Sequence, residues 1–209
     1  RDNPDNVRTE LLCQWVDTFD SPWDLAKFDS GLDRTLSLDP MLETYMGFDL
    51  NFDRTEAYLV CAQIDGDKLN VFSYGFMRDE PLHEMELASE IAGVVRKYKT
   101  RQVAYDPRAG EHVAVHLKRA GVKVEPTPWS GAVFPTLCDV TMSAMNAQQL
   151  RHVGQAELRK QLAACSRAPA SDGGWRIRRK ESGSIPAAVA FVMAVGHAKL
   201  PKTSVTIAV

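Results

Sequence analysis

Residues 44–77 read TYMGFDLNFDRTEAYLVCAQIDGDKLNVFSYGFM. Apolar runs with strand character occupy 45–52, 56–64 and 68–77. Asp65-Gly66-Asp67 separates the last two, a tight-turn signal that predicts a hairpin. The stretch therefore predicts consecutive antiparallel strands. One residue breaks the apolar pattern of the first run, Asp49 within Tyr45-Met46-Gly47-Phe48-Asp49-Leu50. A carboxylate inside a buried strand is costly unless it is paired, protonated or bound to a cation.

Downstream of the meander, Leu82, Met85, Ile91, Val94, Val95 and Tyr98 fall near helical spacing and predict a helix over 81–98. Val103 to Tyr105 reads as a short buried strand, and it too runs into an acid, Asp106, followed by Pro107. Val113, Leu117 and Ala120 mark a helix ended by Gly121. A strand at 122–124 is broken by Pro126 and Pro128. Leu137, Val140 and Ala144, then Leu158, Leu162 and Cys165, mark helices on either side of a break near His152-Val153-Gly154. Gly173-Gly174 opens a strand or hairpin segment from Trp175 to Lys180. Pro186 sits in the first turn of a last helix, 187–197, with Ser184 placed to cap it. That helix is apolar nearly all round and should be buried.

This order predicts an α/β fold with a mixed sheet of five or more strands flanked by helices, the first strands forming a meander and the rest added by crossovers. The first and fourth strands then lie side by side, which makes Asp49 and Asp106 neighbours. Residues 45–209 form the domain; residues 1–44, rich in Asp, Pro and Trp, form a leading linker segment. Within the linker, 6–19 has helical spacing, and Trp23 and Phe28 are aromatic anchors expected to pack on the domain.

Composition bounds the function. The chain has 209 residues, enough for one generous domain. Its net charge is −2, so no bulk positive field recruits nucleic acid, and binding to it must use local basic patches. The four cysteines, 13, 61, 138 and 165, show no metal-ligand spacing and read as reduced structural residues of a cytosolic protein. No stretch approaches the roughly 18 apolar residues of a membrane span. The opening Arg1-Asp2-Asn3-Pro4 reads as a cut inside a longer protein.

Magnesium takes hard oxygen ligands and keeps several waters, so few carboxylates suffice to hold it. Paired ions about 4 Å apart can activate a water, clamp a phosphodiester and stabilise the leaving oxygen. In that chemistry Asp49 is the bridging ligand and Asp106 a flanking one. Asp53 either adds an oxygen or only begins the turn before the second strand. Asp106 also has a plainer reading as a turn opener before Pro107. The basic run Arg176, Arg178, Arg179 and Lys180 alternates with Trp175 and Ile177; in a strand Arg176, Arg178 and Lys180 share one face and can hold DNA phosphates, or can simply keep a sheet edge soluble.

These stretches together resemble the nuclease domain of the large terminase subunit of tailed bacteriophages. The residues carrying the resemblance are Leu11 to Val16, Gly47-Phe48-Asp49-Leu50 with Asp53-Arg54-Thr55-Glu56-Ala57, Val103 to Pro107, Leu150-Arg151-His152, and Ile185 to Ala194. The resemblance implies a ribonuclease H-like fold and a Mg2+- or Mn2+-dependent endonuclease, with a pair of ions, that cuts concatemeric double-stranded DNA in the host-cell cytoplasm. It implies an ATPase domain preceding this one, with the terminase small subunit and the capsid portal as partners and no membrane. No GxxxxGK[ST] loop occurs, so the motor is not in this chain. His152 matches a recurrent position, with a structural role or a contact to DNA rather than general acid-base chemistry.

One departure matters. The family usually carries a third acid at the start of the last helix, where this sequence has Pro186. The nearest substitutes are Glu181, as a further metal ligand, and Asp172. The alternative function is therefore a non-catalytic or impaired module that grips DNA or docks on the portal with a decayed nuclease site.

Overall fold

The computed structural model describes residues 21–170, 174–179 and 182–200. After the short helix α1 (Leu25–Asp29) come β1 (Glu43–Leu50), β2 (Glu56–Asp65) and β3 (Lys68–Met77). These pair antiparallel in the predicted meander, with Gly66 at φ +61° in the turn, a conformation that favours glycine. Helix α2 (Glu84–Val95) leads to β4 (Lys99–Tyr105), and helix α3 (Pro107–Arg119) leads to β5 (Val124–Pro126). Helix α4 (Val133–Asn146), strand β6 (Leu150–His152) and helix α5 (Ala156–Ala164) follow. A small ribbon of β7 (Arg167–Pro169) and β8 (Trp175–Ile177) precedes the last helix, α6 (Pro186–Lys199).

The main sheet has six strands in the order β5-β4-β1-β2-β3-β6. Strands β1 and β4 are parallel neighbours in register, with Gly47 opposite Ala104 and Phe48 opposite Tyr105. Both faces are covered, which is why the central strands read as almost continuous apolar runs. Met46, Phe48 and Leu50 point into a core shared with α2 and α3, while Tyr45 joins Tyr58, Val60, Ala62 and Ala104 in the core built around α6. Helix α6 is buried along nearly its whole length and presses directly on β1. A Cβ on Gly47 would stand 2.5 Å from the Ala190 carbonyl oxygen, so only glycine permits this approach.

Trp23 and Phe28 are buried in the α6-side core, and Asp33 N donates to His152 O, fastening residues 21–44 to the domain. The helix expected over 6–19 lies outside the described residues. The sixth strand, β6, occupies the break expected near His152 and pairs parallel with β3. It is too short, and too polar at Arg151 and His152, for a periodicity signal. Strand β4 begins earlier than expected, because Lys99 to Gln102 alternate exposed and half-buried positions ahead of the apolar end. The predicted cap of the last helix is corrected. Ile185 occupies the N-cap position with no side-chain bond, and the Ser184 hydroxyl instead donates to Glu56 Oε2 at 2.7 Å.

Candidate functional site

Side chains alternate across a strand, so Asp49 projects to the same face as Tyr45 and Gly47, toward α6. Asp106 follows Tyr105 directly and shares the face of Ala104. The parallel register then sets the carboxylates side by side at the carboxyl ends of adjacent strands, the end where α/β sheets generally bind ligands. Asp49 is 1% exposed and Asp106 3% exposed.

Each acid has its own support. Asp106 caps α3: its Oδ1 accepts from Arg108 N at 3.1 Å, Pro107 occupies the first turn, and the Asp106 carbonyl accepts from Gly110 N at 2.8 Å. The turn-opener reading and the site reading of Asp106 are thus compatible, because capping engages one oxygen and leaves the other facing Asp49. Asp49 is less well provided for. Burial pushes its carboxyl up to about 6, the neighbouring Arg179 guanidinium opposes that rise, and the charge of Asp106 adds to it. Asp49 Oδ2 is buried with no hydrogen-bond partner.

The cation on this pair is Arg179. Its Nη2 donates to Asp49 Oδ1 at 2.6 Å and approaches Asp106 Oδ2 at 3.3 Å. Its guanidinium lies over the Trp129 ring at 4.7 Å, and Trp129 stacks in turn on Phe134 of α4. Arg176 Nη1 donates to the Trp129 carbonyl at 3.1 Å, which ties β8 to the same aromatic seat. Strand alternation places Arg176 and Arg178 on a face away from Arg179, but β8 ends at Ile177 and the chain turns. A turn after a strand end resets side-chain direction, so alternation could not have found Arg179.

The other predicted residues are placed as follows. Asp53 is exposed in the β1–β2 turn and is not brought to the pair; among the described residues no group of three or more His, Cys, Asp or Glu is set to hold a metal. Glu181, Lys180 and Asp172 lie outside the described residues. Arg176 and Arg178 are half-buried in and just after β8. The DNA contact expected of His152 is corrected: the ring is 3% exposed, stacked on Phe28 at 4.0 Å, and both its nitrogens are engaged. Nε2 bonds to the Phe28 carbonyl at 2.7 Å and Nδ1 accepts from Gly154 N at 3.1 Å, which defines a neutral structural histidine.

An acid that sequence reasoning passed over stands beside the start of α6. Glu56 lies on the same face of β2 as Tyr58, one alternation from the partner of Asp49. It accepts from Ser184 Oγ and from Gln161 Nε2 at 3.2 Å, while Gln161 Oε1 accepts from Ala187 N at 2.6 Å. These bonds fasten the first turn of α6, the turn where Pro186 replaces the expected acid. The sequence signal was present in the run Arg54-Thr55-Glu56, but nothing in it indicated a partner so distant along the chain.

The residues present fit one hard cation. They supply paired buried carboxylates at the strand ends and an orphaned oxygen, Asp49 Oδ2, while further positions on magnesium are ordinarily filled by water. They do not, among the described residues, supply the third carboxylate that a pair of ions requires.

No protein-family profile and no curated protein sequence matches this chain. Solved structures do match in fold. The large terminase of bacteriophage HK97 superposes with a TM-score of 0.71 at 16% identity, over 83% of this chain and 43% of that one. The large terminase nuclease of the thermophilic phage G20c gives 0.66 at 14% identity, over 84% of this chain and 97% of that one. The same G20c nuclease with bound magnesium gives 0.59 at 14% identity, over 74% and 80%. The chain therefore spans less than half the length of the HK97 enzyme and nearly all of the G20c nuclease. The ribonuclease H-like fold expected from the sequence is the fold of this protein.

Proposed function

We propose that this chain is a divalent-metal-dependent endonuclease domain that cuts double-stranded DNA for a phage genome-packaging terminase. The observation that carries the proposal is the pair Asp49 and Asp106, buried side by side at the ends of parallel β1 and β4 with one carboxylate oxygen unpartnered. A related fold holding bound magnesium supports it. In the whole enzyme the domain would follow an ATPase domain and work with a small subunit and the capsid portal in the host-cell cytoplasm.

A divalent ion on such a pair supplies Lewis acidity at a phosphate and lowers the pKa of bound water. The chain's own residues hold and orient. Asp106 is fixed by the α3 cap, and Asp49 by the β1 pairing and by α6 packed against Gly47. Attack of water on phosphorus would leave 3′-hydroxyl and 5′-phosphate ends. Arg176 and Arg178, with Lys180, would hold phosphates without reading sequence. A mechanism with a pair of ions needs one more carboxylate, for which the sequence offers Glu181 ahead of α6.

A second reading has one observation in its favour. Arg179 already sits as a cation on the acid pair, as expected of a decayed site in a module that grips DNA or docks on the portal. Plasmid cleavage separates the readings. The purified chain is assayed with Mg2+, Mn2+ or chelator, beside Asp49→Asn. Metal-dependent nicking and linearisation, lost in the variant, is the result expected of a nuclease. Absence of cleavage from a folded chain with every metal would overturn it in favour of the gripping module.

A further inference from the structure

We infer that Arg179 is a built-in cation that competes with the divalent ion for Asp49 and Asp106, and that its guanidinium must leave the pair when the ion binds. This rests on the metal-dependent reading of the site given above, and it adds a residue that sets how tightly the site takes its metal.

The geometry differs from that of a structural ion pair. A guanidinium that stabilises a fold typically uses its fork, with parallel N–H groups on both oxygens of one carboxylate. The chain contains such a pair: Arg159 Nε and Nη2 donate to Asp29 Oδ1 and Oδ2 at 2.7 and 2.8 Å. Arg179 does otherwise. A single nitrogen, Nη2, is shared between one oxygen of Asp49 and one of Asp106. That nitrogen stands between the carboxylates, where a shared cation would sit. The arrangement also leaves polar groups unsatisfied on both sides, Asp49 Oδ2 and Arg179 Nε, each buried without a partner. Half-satisfied buried charge is costly. An ion carrying its own waters can satisfy a carboxylate that a fixed guanidinium leaves orphaned.

The guanidinium also has somewhere to go. The Arg179 side chain is 30% exposed, whereas the Asp49 side chain is fully buried, so Arg179 reaches in from the mouth of the site. It belongs to the turn that follows β8, outside the main sheet, and withdrawing it along the Trp129 face gives up, besides its bonds to the acids, only the long contact of Nη1 with the Leu50 carbonyl at 3.5 Å. Trp129 is held from beneath by Phe134 and through its carbonyl by Arg176, so it stays as the seat while its guanidinium neighbour moves. Metal binding should therefore change the surroundings of the Trp129 indole.

The test is calorimetric titration of the chain with Mg2+ and with Mn2+ at pH 8, comparing wild type, Arg179→Gln and Asp49→Asn, with thermal unfolding confirming that each is folded. Removing the competing cation should tighten metal binding about 10- to 100-fold, the equivalent of one charge-assisted hydrogen bond. Wild-type tryptophan fluorescence should shift with the same metal dependence, and the shift should vanish in Arg179→Gln and in Trp129→Phe. If Arg179→Gln does not fold, Trp129→Leu takes its place, since it removes only the seat; it should bind metal several-fold tighter. Equal or weaker metal binding by the folded Arg179 or Trp129 variant, with Asp49→Asn unable to bind, would overturn the competition while leaving the metal site intact. Metal binding by Asp49→Asn equal to wild type would overturn the metal site itself, and the competition with it.

Discussion

Asp49→Asn should make the metal-free protein more stable at pH 8, although it removes a site residue. Burial raises the Asp49 carboxyl to about 6 against an ordinary value of 3.8. At about 1.4 kcal/mol per pKa unit, holding that group charged in the fold costs ~3 kcal/mol once the pH is well above 6. The sign follows from the direction of the shift. A folded-state pKa above the unfolded value means that the contribution is fully present below about pH 4 and is lost as the pH rises through 6. Asparagine keeps the shape without the charge, so the variant should gain up to ~3 kcal/mol at pH 8 and nothing at pH 4. The gain is an upper bound, because the new amide N–H must find an acceptor beside Arg179. Urea unfolding in chelator at pH 5, 6.5 and 8 measures it, and the difference between variant and wild type removes the titration of every other group. If the pair holds a divalent ion as proposed, added metal should reverse the order, because Asp49→Asn loses a ligand. A variant less stable than wild type at pH 8 would refute the reasoning, by showing that the Arg179 bond outweighs the desolvation of Asp49.

Gly47→Ala should cost roughly 2 kcal/mol or more, because the new methyl meets the Ala190 carbonyl at 2.5 Å and backbone on both sides is fixed by the sheet and α6; a fall in thermal midpoint of several degrees checks it. His152 is held neutral, its pKa lowered mainly by burial, so its contribution to stability is present above about pH 6.5 and lost as the pH falls. His152→Gln should flatten that acid-side loss while costing about 1–3 kcal/mol at pH 7.5, where two ring hydrogen bonds disappear, as chemical denaturation at the two pH values would report.

Much of the fold was legible because its signals are local. The Asp65-Gly66-Asp67 turn and the long apolar runs of β1 to β3 dictate the meander, and strands buried on both faces need no alternation to be found. The neighbourhood of Asp49 and Asp106 followed from strand order alone. What escaped the sequence depends on tertiary partners. Strand β6 exists because the edge of β3 has open hydrogen-bonding groups for Leu150 to His152, a fact recorded in β3 rather than in those three residues. Ser184 has the residue type of a helix cap, yet its hydroxyl finds Glu56, 128 positions away in sequence. Arg179 looked like one more member of a basic run. Alternation sets it on the face opposite Arg176, and a strand this short has no sequence signal that it stops at Ile177, where the turn brings Arg179 to the acid pair.

The same contrast explains how the site can hold buried charge at all. Asp106 is cheap to bury because it also caps α3, so its cost is spread over a helix terminus that needs an acceptor there. Asp49 has no such second use, and its Oδ2 remains unpartnered beside an arginine that offers only one nitrogen. Evolution toward stability alone would replace Asp49 by an apolar or neutral residue and free Arg179 for the surface. On the proposed reading, the raised, half-satisfied carboxylate at the end of the central strand belongs to a site whose missing partner is a cation supplied from outside the chain. On this argument the acid pair and Arg179 form one unit. Arg179→Gln alone should lower metal-free stability, since it strands two carboxylates, and Asp49→Asn added to it should restore most of that loss. Additive effects in this double-mutant cycle would mean that the two residues act separately, and the single-unit account would fail.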